Sequence, residues 1–398
     1  MDVSLFISRR LRYKGRMVTA AVAVSFLIVI IAVAVSAGFR HEIQTGISKV
    51  AGDIILTAHQ SNYLDEKSPL NANQSYMADI ESLEGVKKVS PVVCRAGIVR
   101  HNSEIYGVMV KGVQGGVAEA TGAQVGATDS LVVAIPSTMA DVAGLHKGDS
   151  ILTYFISERL KIRKFRIADV YEPLVRVNDG YYLVYADISD MRRLNGWDED
   201  KVSMFEIDLS DAYKDREQLQ KMETEVRDVI YDNVSDADEW LVASSSARRY
   251  PQLFDWFGVI DFNAVFVILL MIAVAGVNMI TGLLIMLFEN VSTIGLLKSL
   301  GMKNSAIARV FLTSAMWVVL KGMVIGNVLA FALCILQDMT HFISLDPVNY
   351  FVSYVPVHMD PIAILLADGI AFVSIMLLML LPSLFVLRVD PAKTVKMD

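Results

Sequence analysis

"MVTAAVAVSFLIVIIAVAVSAGF", residues 17–39, decides what kind of protein this chain encodes. It carries no charge over 23 residues. A helix needs about 20 apolar residues to cross roughly 30 Å of hydrocarbon, so the stretch is long enough to span a bilayer. Arg9, Arg10, Arg12, Lys14 and Arg16 precede it, and Ser36, Ala37 and Gly38 close it, which is also the outline of a cleaved secretory signal. A signal core holds only about 7–15 apolar residues. The stretch therefore reads as a retained anchor, and three further apolar runs along the chain support that reading.

Of these three, Ala264–Phe288 has no charge, Val310–Gln337 has only Lys321, and Pro361–Leu387 has only Asp368. Together the four account for a composition that is 54% hydrophobic with a mean hydropathy of +0.45, too apolar for an ordinary soluble chain. Basic residues near the spans mark the cytoplasmic side. Five precede the first span, three lie in 289–309 (Lys298, Lys303, Arg309) and three in 388–398 (Arg388, Lys393, Lys396). The link 338–360 has none, but carries Asp338, Asp346 and Asp360. The expected layout is a cytoplasmic N-terminus at 1–16, spans at 17–39, 259–288, 305–337 and 360–387, and a cytoplasmic tail at 388–398. A large outer domain fills 40–258, a cytoplasmic link 289–304, and an outer loop 338–359.

The outer segment is acidic, with 24 basic and 34 acidic residues and a net charge of −10, which leaves no basic face for nucleic acid. Alternating strand patterns interleave with short helical ones. Strands are expected at 53–59, 86–99, 104–113, 151–156, 161–171, 180–186 and 202–209, and helices at 75–84, 187–195 and 215–230. "SLVVAIPSTMADVAGLHKGDSI" (130–151) reads strand, helix, glycine turn, strand, while "GVQGGVAEATG" (112–122) and Ser244–Ser246 read as loops. The mixture makes this an α+β domain. Cys94 and Cys334 imply no disulfide framework.

"ENVSTIGLLKSLGMKN", residues 289–304, is too polar for lipid and too apolar for a plain solvated link. As a helix it places Ile294, Leu296, Leu297 and Leu300 within one arc, with Ser292, Gly295, Lys298 and Ser299 on the other. Gly301 serves as a stop and Asn304 as a cap for the next helix. The plain alternative is an interfacial helix resting on lipid.

At this point the chain resembles a known family. "FENVSTIGLLKSLGMKNSAIARVFL" is similar to the cytoplasmic link of the FtsX/MacB-type ABC transporter permeases, and "LFVLRVDPAKTVK", with Arg388, Asp390 and Pro391, to their closing motif. Within that family, "LFISRRLRYKGR", "SAGFRHEI", "DGYYLVYADISDMRRL" and "YFVSYVPVHMDP" resemble the lipoprotein-releasing (LolC/LolE) permeases. The resemblance implies four spans with a MacB-like periplasmic core domain between the first two, in a bacterial inner membrane. It implies an ATPase-coupling helix made of Glu289, Ile294, Leu296, Leu297, Lys298, Leu300 and Gly301. Where the family often has an acid before the Ile–Gly pair, Thr293 stands here, and Glu289 supplies the nearest one. Implied partners are a LolD-like ABC ATPase, a second permease of the same or a related kind, lipoprotein cargo, and a LolA-like periplasmic carrier. Val24, Ile28, Ile31, Phe266, Leu270 and Val274 would line the substrate cavity, and Leu174, Val175, Arg176 and Val177 would form a carrier hook. Two other roles stay open: a MacB-like mechanical exporter, and an FtsX-like signalling permease that controls cell-wall hydrolysis.

The chain is not expected to be an enzyme. ATP hydrolysis needs a glycine-rich loop ending in lysine, and the chain contains no Gly-Lys pair. ATP and Mg are therefore assigned to the partner, and no cofactor, metal site or catalytic residue is expected in this chain. The six histidines never stand at i, i+4, and "SDADE" (235–239) reads as a solvated acidic turn rather than a cation site. Asn278, Lys321, Asn327 and Asp368 sit at membrane depth, where polar groups more often join helices than relay ions. Lys321 is expected to snorkel or to pair with Asp368.

Overall fold

The computed structural model describes residues 16–58, 69–102, 104–122, 131–156, 160–173, 180–236, 238–346 and 350–383. The chain divides into two compact units. The first long helix, α1 (Arg16–Ala51), runs twelve residues past the expected end of the first span. Ile43, Ile47 and Ala51 recur at i, i+4, i+8 and are all buried, so a new apolar stripe takes over where the uniformly apolar sequence stops.

The unit built mainly from Glu42–Trp256 is the α+β domain. It contains β1 (Ile54–Ala58), β2 (Leu70–Asn71), α2 (Met77–Glu81), β3 (Val86–His101), β4 (Glu104–Val113), α3 (Gly116–Thr121) and β5 (Val132–Pro136). There follow α4 (Ser137–Ala143), β6 (Ser150–Phe155), β7 (Lys161–Tyr171), β8 (Tyr182–Asp187), α5 (Ile188–Asn195), β9 (Lys201–Val202) and β10 (Met204–Leu209). Last come α6 (Arg216–Asn233), β11 (Leu241–Ser245) and α7 (Ser246–Arg249).

β3 organises the domain because it is long enough to belong to two sheets. Its first half pairs with β10 in the antiparallel order β11-β1-β10-β3. Its second half pairs with β4 from Val93↔Gly112 to His101↔Glu104. From β4 the order runs through β8, β5, β7 and β6, and β6 returns to β3 at Ile98↔Tyr154, closing a six-stranded ring. Inside the ring, Val93, Val99, Val108, Phe155, Phe165 and Ile167 pack with Met191 and Leu194 of α5. Alternation along each strand sends these side chains inward and their neighbours outward.

Two stretches that read as loops in the sequence are ordered elements. Residues 116–121 form α3, flanked by Gly115 and Gly122 at positive φ, so the glycines mark the helix ends. Ser244 and Ser245 lie in β11; Ser245 takes an inward position and so hides the apolar alternation of Leu241 and Ala243.

The end of α1 is fastened to this domain. Lys111 of β4 is almost wholly buried and forms a 2.7 Å ion pair with Glu206 of β10. Its ammonium also donates to the carbonyls of Lys49 (3.3 Å) and Val50 (3.0 Å), and the Tyr185 hydroxyl donates to Lys49 O at 3.1 Å. These are carbonyls in the last turn of α1, which the helix itself leaves without partners. Burial, the largest single influence, lowers the pKa of the ammonium, but Glu206 together with Tyr185 and Cys94 outweighs it and the net shift is upward. Lys214 stands 3.6 Å from Asp53 and donates to Ser48 Oγ at 3.0 Å, and Arg249 donates to Gly52 O at 2.7 Å.

The neighbouring Asp208 is perturbed by this crowding. Burial, then Asp53 and Glu206, push its carboxyl up from 3.8 to about 6. The folded protein holds this proton to about pH 6, while the unfolded chain releases it near 3.8. Stability from this group is therefore complete below pH 3.8 and is lost as pH rises through about 6. Asp208→Asn should remove that loss and gain about 1–2 kcal/mol at pH 8, allowing for partial solvent screening. Melting curves of both proteins at pH 5 and pH 8 test this; parallel pH dependences would refute it.

The other unit holds α8 (Pro251–Glu289) from Phe257 onward, α9 (Val291–Ser299), α10 (Asn304–Thr340), α11 (Pro361–Leu378) and α12 (Leu380–Ser383), together with α1 up to His41. Among the described residues, four helices are long and apolar enough to cross a membrane: α1, α8, α10 and the stretch Pro361–Pro382. Asp360 caps the last of these by accepting from Ile362 N at 2.9 Å, and Pro361 takes the first turn. Lys303, not Asn304, is the N-cap of α10, and Asn304 is its first helical residue.

Two glycines set the packing of α1 on α10. Gly322 and Gly326 form a G-x-x-x-G pair, and a Cβ on Gly326 would lie 2.4 Å from Ala23 O. Between α10 and α11, Asn327 Nδ2 donates to Asp368 Oδ2 at 2.5 Å. Asp368 thus pairs with Asn327 rather than with Lys321, whose side chain is exposed. Near the far end of α1, Arg40 and Ser36 both bond Asp261 of α8, the latter at 2.7 Å, and His41 stacks on His358 at 4.5 Å.

Candidate functional site: the short helix between two spans

α9 is nine residues long and joins α8 to α10. Its end is fixed by Gly301 at φ +84°, where few side chains are tolerated. Gly301 N donates to Lys298 O and Met302 N to Leu297 O, both at 3.0 Å, the pattern of a Schellman cap. At the other end, Ile294 N donates to Asn290 O at 2.9 Å, while Asn290 Nδ2 turns back to Met286 O at 2.8 Å.

The helix has two apolar faces. Ile294 is 0% exposed and packs in the cluster that includes Leu287, Ile307 and Phe311, with Leu297 and Met302 against it. Leu296 and Leu300 are 58% and 75% exposed. This corrects the expectation of a single arc. At about 100° per residue, Leu296 and Leu300 lie about 40° apart and Ile294 about 120–160° from them, while Leu297 falls between, about 60° from both Ile294 and Leu300. Ile294 and Leu297 anchor α9 to its own bundle, and Leu296 and Leu300 are the free apolar surface. Glu289 closes α8 and is exposed; Lys298 is half-buried, and Gly301 is exposed. The seven residues are thus together in one short segment but serve two different purposes.

Five of the six expected cavity residues lie on outer faces, and the sixth, Ile31, packs against the cluster of Ile30, Ala330 and Ile364. Val24, Phe266, Leu270 and Val274 are exposed and Ile28 and Ile31 half-buried, whereas Val22 and Phe26 of α1 turn into the core with Ile272, Ala275 and Met279. One chain therefore presents five of these residues on open apolar faces rather than in an enclosed pocket. Leu174, Val175, Arg176 and Val177 lie outside the described residues, as does the tail with Arg388, Asp390 and Pro391.

The acidic turn at 235–239 is occupied internally. Asp238 accepts from Ser235 N and Ser75 N, both at 2.9 Å, and from both serine hydroxyls at 2.5 Å. These bonds, that of the Ser235 side chain foremost, hold its carboxyl well below the usual range. Sequence reasoning missed Gly322 and Gly326; their four-residue spacing within an apolar run was the available signal. It also missed Lys111 and Glu206, for which no local pattern exists because they meet only through the β3–β4 and β3–β10 pairings.

Residues 265–391 match the family model described as FtsX-like permease C-terminal. No curated protein matches the chain. Among solved structures, it is similar to the periplasmic region of MacB from Actinobacillus actinomycetemcomitans, with 12% identity and a TM-score of 0.32 over 52% of this chain and 95% of that one. The extracellular domain of the noncanonic ABC-type transporter YknZ from Gram-positive bacteria gives 14% identity and 0.29 over 48% and 99%. A domain described as that of a permease protein from Porphyromonas gingivalis gives 17% identity and 0.28 over 50% and 92%.

Proposed function

We propose that this FtsX/MacB-type ABC transporter permease releases lipid-anchored proteins from a bacterial inner membrane for sorting to the outer membrane. The observation that carries the coupling half of the proposal is the outward pair Leu296 and Leu300 on a helix seated by Ile294. A separate ABC ATPase docks on that pair and supplies the energy, with ATP and Mg held by the ATPase. Both termini and α9 face the cytoplasm, in keeping with the basic residues flanking them, and the α+β domain faces the periplasm.

Two permeases pair, identical or related, so that the open faces of Val24 and Ile28, with Ile31 behind them, and of Phe266, Leu270 and Val274 close around an acyl chain. Extracting each acyl CH₂ from lipid costs about 0.8 kcal/mol, which makes an external energy source necessary for a multi-chain anchor. A LolA-like carrier receives the cargo at the segment with Leu174, Val175, Arg176 and Val177. The release step itself rests on the sequence resemblance to the LolC/LolE permeases.

Leu296→Asp with Leu300→Asp should abolish co-purification of the ATPase while the permease remains folded. Undiminished recovery of the ATPase would refute docking at α9. Leu297→Asp is the wrong variant for this test, because Leu297 packs inward. Depletion of the protein should strand outer-membrane lipoproteins in the inner membrane. Normal sorting would shift the assignment to a MacB-like exporter or an FtsX-like signalling permease.

A further inference from the structure

The outer face of the six-stranded ring is unusual where β4, β3, β6 and β7 lie side by side. The registers Arg100↔Ile105, Arg100↔Leu152 and Leu152↔Lys164 place Ile105, Arg100, Leu152 and Lys164 in one outward row. The adjacent row is Gly107, Ile98, Tyr154 and Ile162. Ile105, Leu152 and Ile162 are exposed, Ile105 to 70%. Aliphatic side chains in consecutive rows of a sheet form a flat apolar platform, which on a protein surface marks a contact site.

The rim of this platform is basic. Arg100, Lys164 and Arg166 are exposed on this face, whereas Lys161 and Arg163 follow the inward alternation of Phe165 and Ile167. This stands out in a segment with a net charge of −10. A partner fitted to it needs exposed apolar groups surrounded by carboxylates.

The same domain carries such a surface. Tyr231 and Trp240 are exposed to 71% and 57% and meet edge to face at 6.0 Å. Exposed Asp228, Asp232 and Asp236 flank them in sequence. Aromatic pairs with a polar surround are typical anchors of protein contacts.

We propose that the basic-rimmed platform of one copy receives the Tyr231–Trp240 patch of a second copy. It builds on the pairing of two permeases proposed above and adds where their α+β domains touch. In a two-fold dimer this contact occurs twice, platform to patch and patch to platform.

Two differently tagged full-length copies, one with Leu152→Cys and one with Trp240→Cys, would be co-expressed and oxidised in membranes. The native thiols do not interfere, since Cys94 and Cys334 are both buried. A disulfide joining the two tags is expected, well above the yield of a control pairing Leu152→Cys with Val142→Cys, Val142 being exposed on α4. Lys164→Glu should lower the yield roughly fivefold, and Asp236→Lys on the other copy should restore it. A yield no higher than the control, or no restoration by the charge swap, overturns the contact. Light scattering of the same protein separates the two layers: a dimer without the cross-link keeps the pairing and rejects this contact, and a monomer rejects both.

Discussion

Lys111→Met is expected to destabilise the full-length protein by about 3–5 kcal/mol, because it leaves Glu206 buried without its counter-charge. Glu206 Oε1 already lacks a partner, and Oε2 would lose the 2.7 Å contact. The carbonyl of Val50 would lose this donor at the same time, while that of Lys49 would keep the Tyr185 hydroxyl. Lys111→Met with Glu206→Leu should recover most of the loss, since replacing a whole buried pair by apolar groups of similar size is often neutral. The double variant would then separate the cost of an orphaned charge from the value of holding the end of α1. Thermal unfolding, with hydrogen exchange of the peptide covering 42–52, reads both. The assignment fails if the single variant unfolds within about 1 kcal/mol of the parent, a loss typical of an exposed ion pair.

Gly326→Leu should break the seat of α1 on α10. A Cβ there meets Ala23 O at 2.4 Å, Phe26 Cβ at 2.9 Å and Leu27 N at 3.0 Å, and two of these atoms are backbone that cannot turn aside. The expected loss is about 3 kcal/mol or more, at the upper end of overpacking costs. Gly322→Ala should be milder, since its nearest neighbour is the Val22 side chain. Gly369→Ala is the control: it lies on a membrane helix with nothing within 4 Å, and should be neutral or slightly stabilising. Melting of the three variants in detergent decides the matter. Equal behaviour of Gly326→Leu and Gly369→Ala would mean that close approach does not seat α1.

How far the sequence can be read depends on how local each signal is. The four spans are legible because a membrane demands a long uniform run, which few other sequences imitate. Most strands and helices of the domain are legible from alternation and from glycine stops such as Gly144. The register is not. That β3 serves two sheets, or that β6 returns to close the ring, depends on pairings between residues such as Ile98 and Tyr154 that are far apart in the chain. At α9 the composition is readable but the orientation is not. Ile294 and Leu296 are both apolar, and only packing shows that one is anchor and the other surface. β11 escapes a pattern search because a serine stands at an inward position.

β1 and β11 lie side by side, with Ile54 opposite Ser245 and Leu56 opposite Ala243. The polypeptide thus begins and finishes its excursion into the α+β domain at neighbouring points on one sheet. Chain ends that meet in this way are what make a module portable: it can be spliced out, swapped or reconnected by a short peptide without pulling its sheets apart. A lineage can exchange this module for another while leaving the four spans untouched.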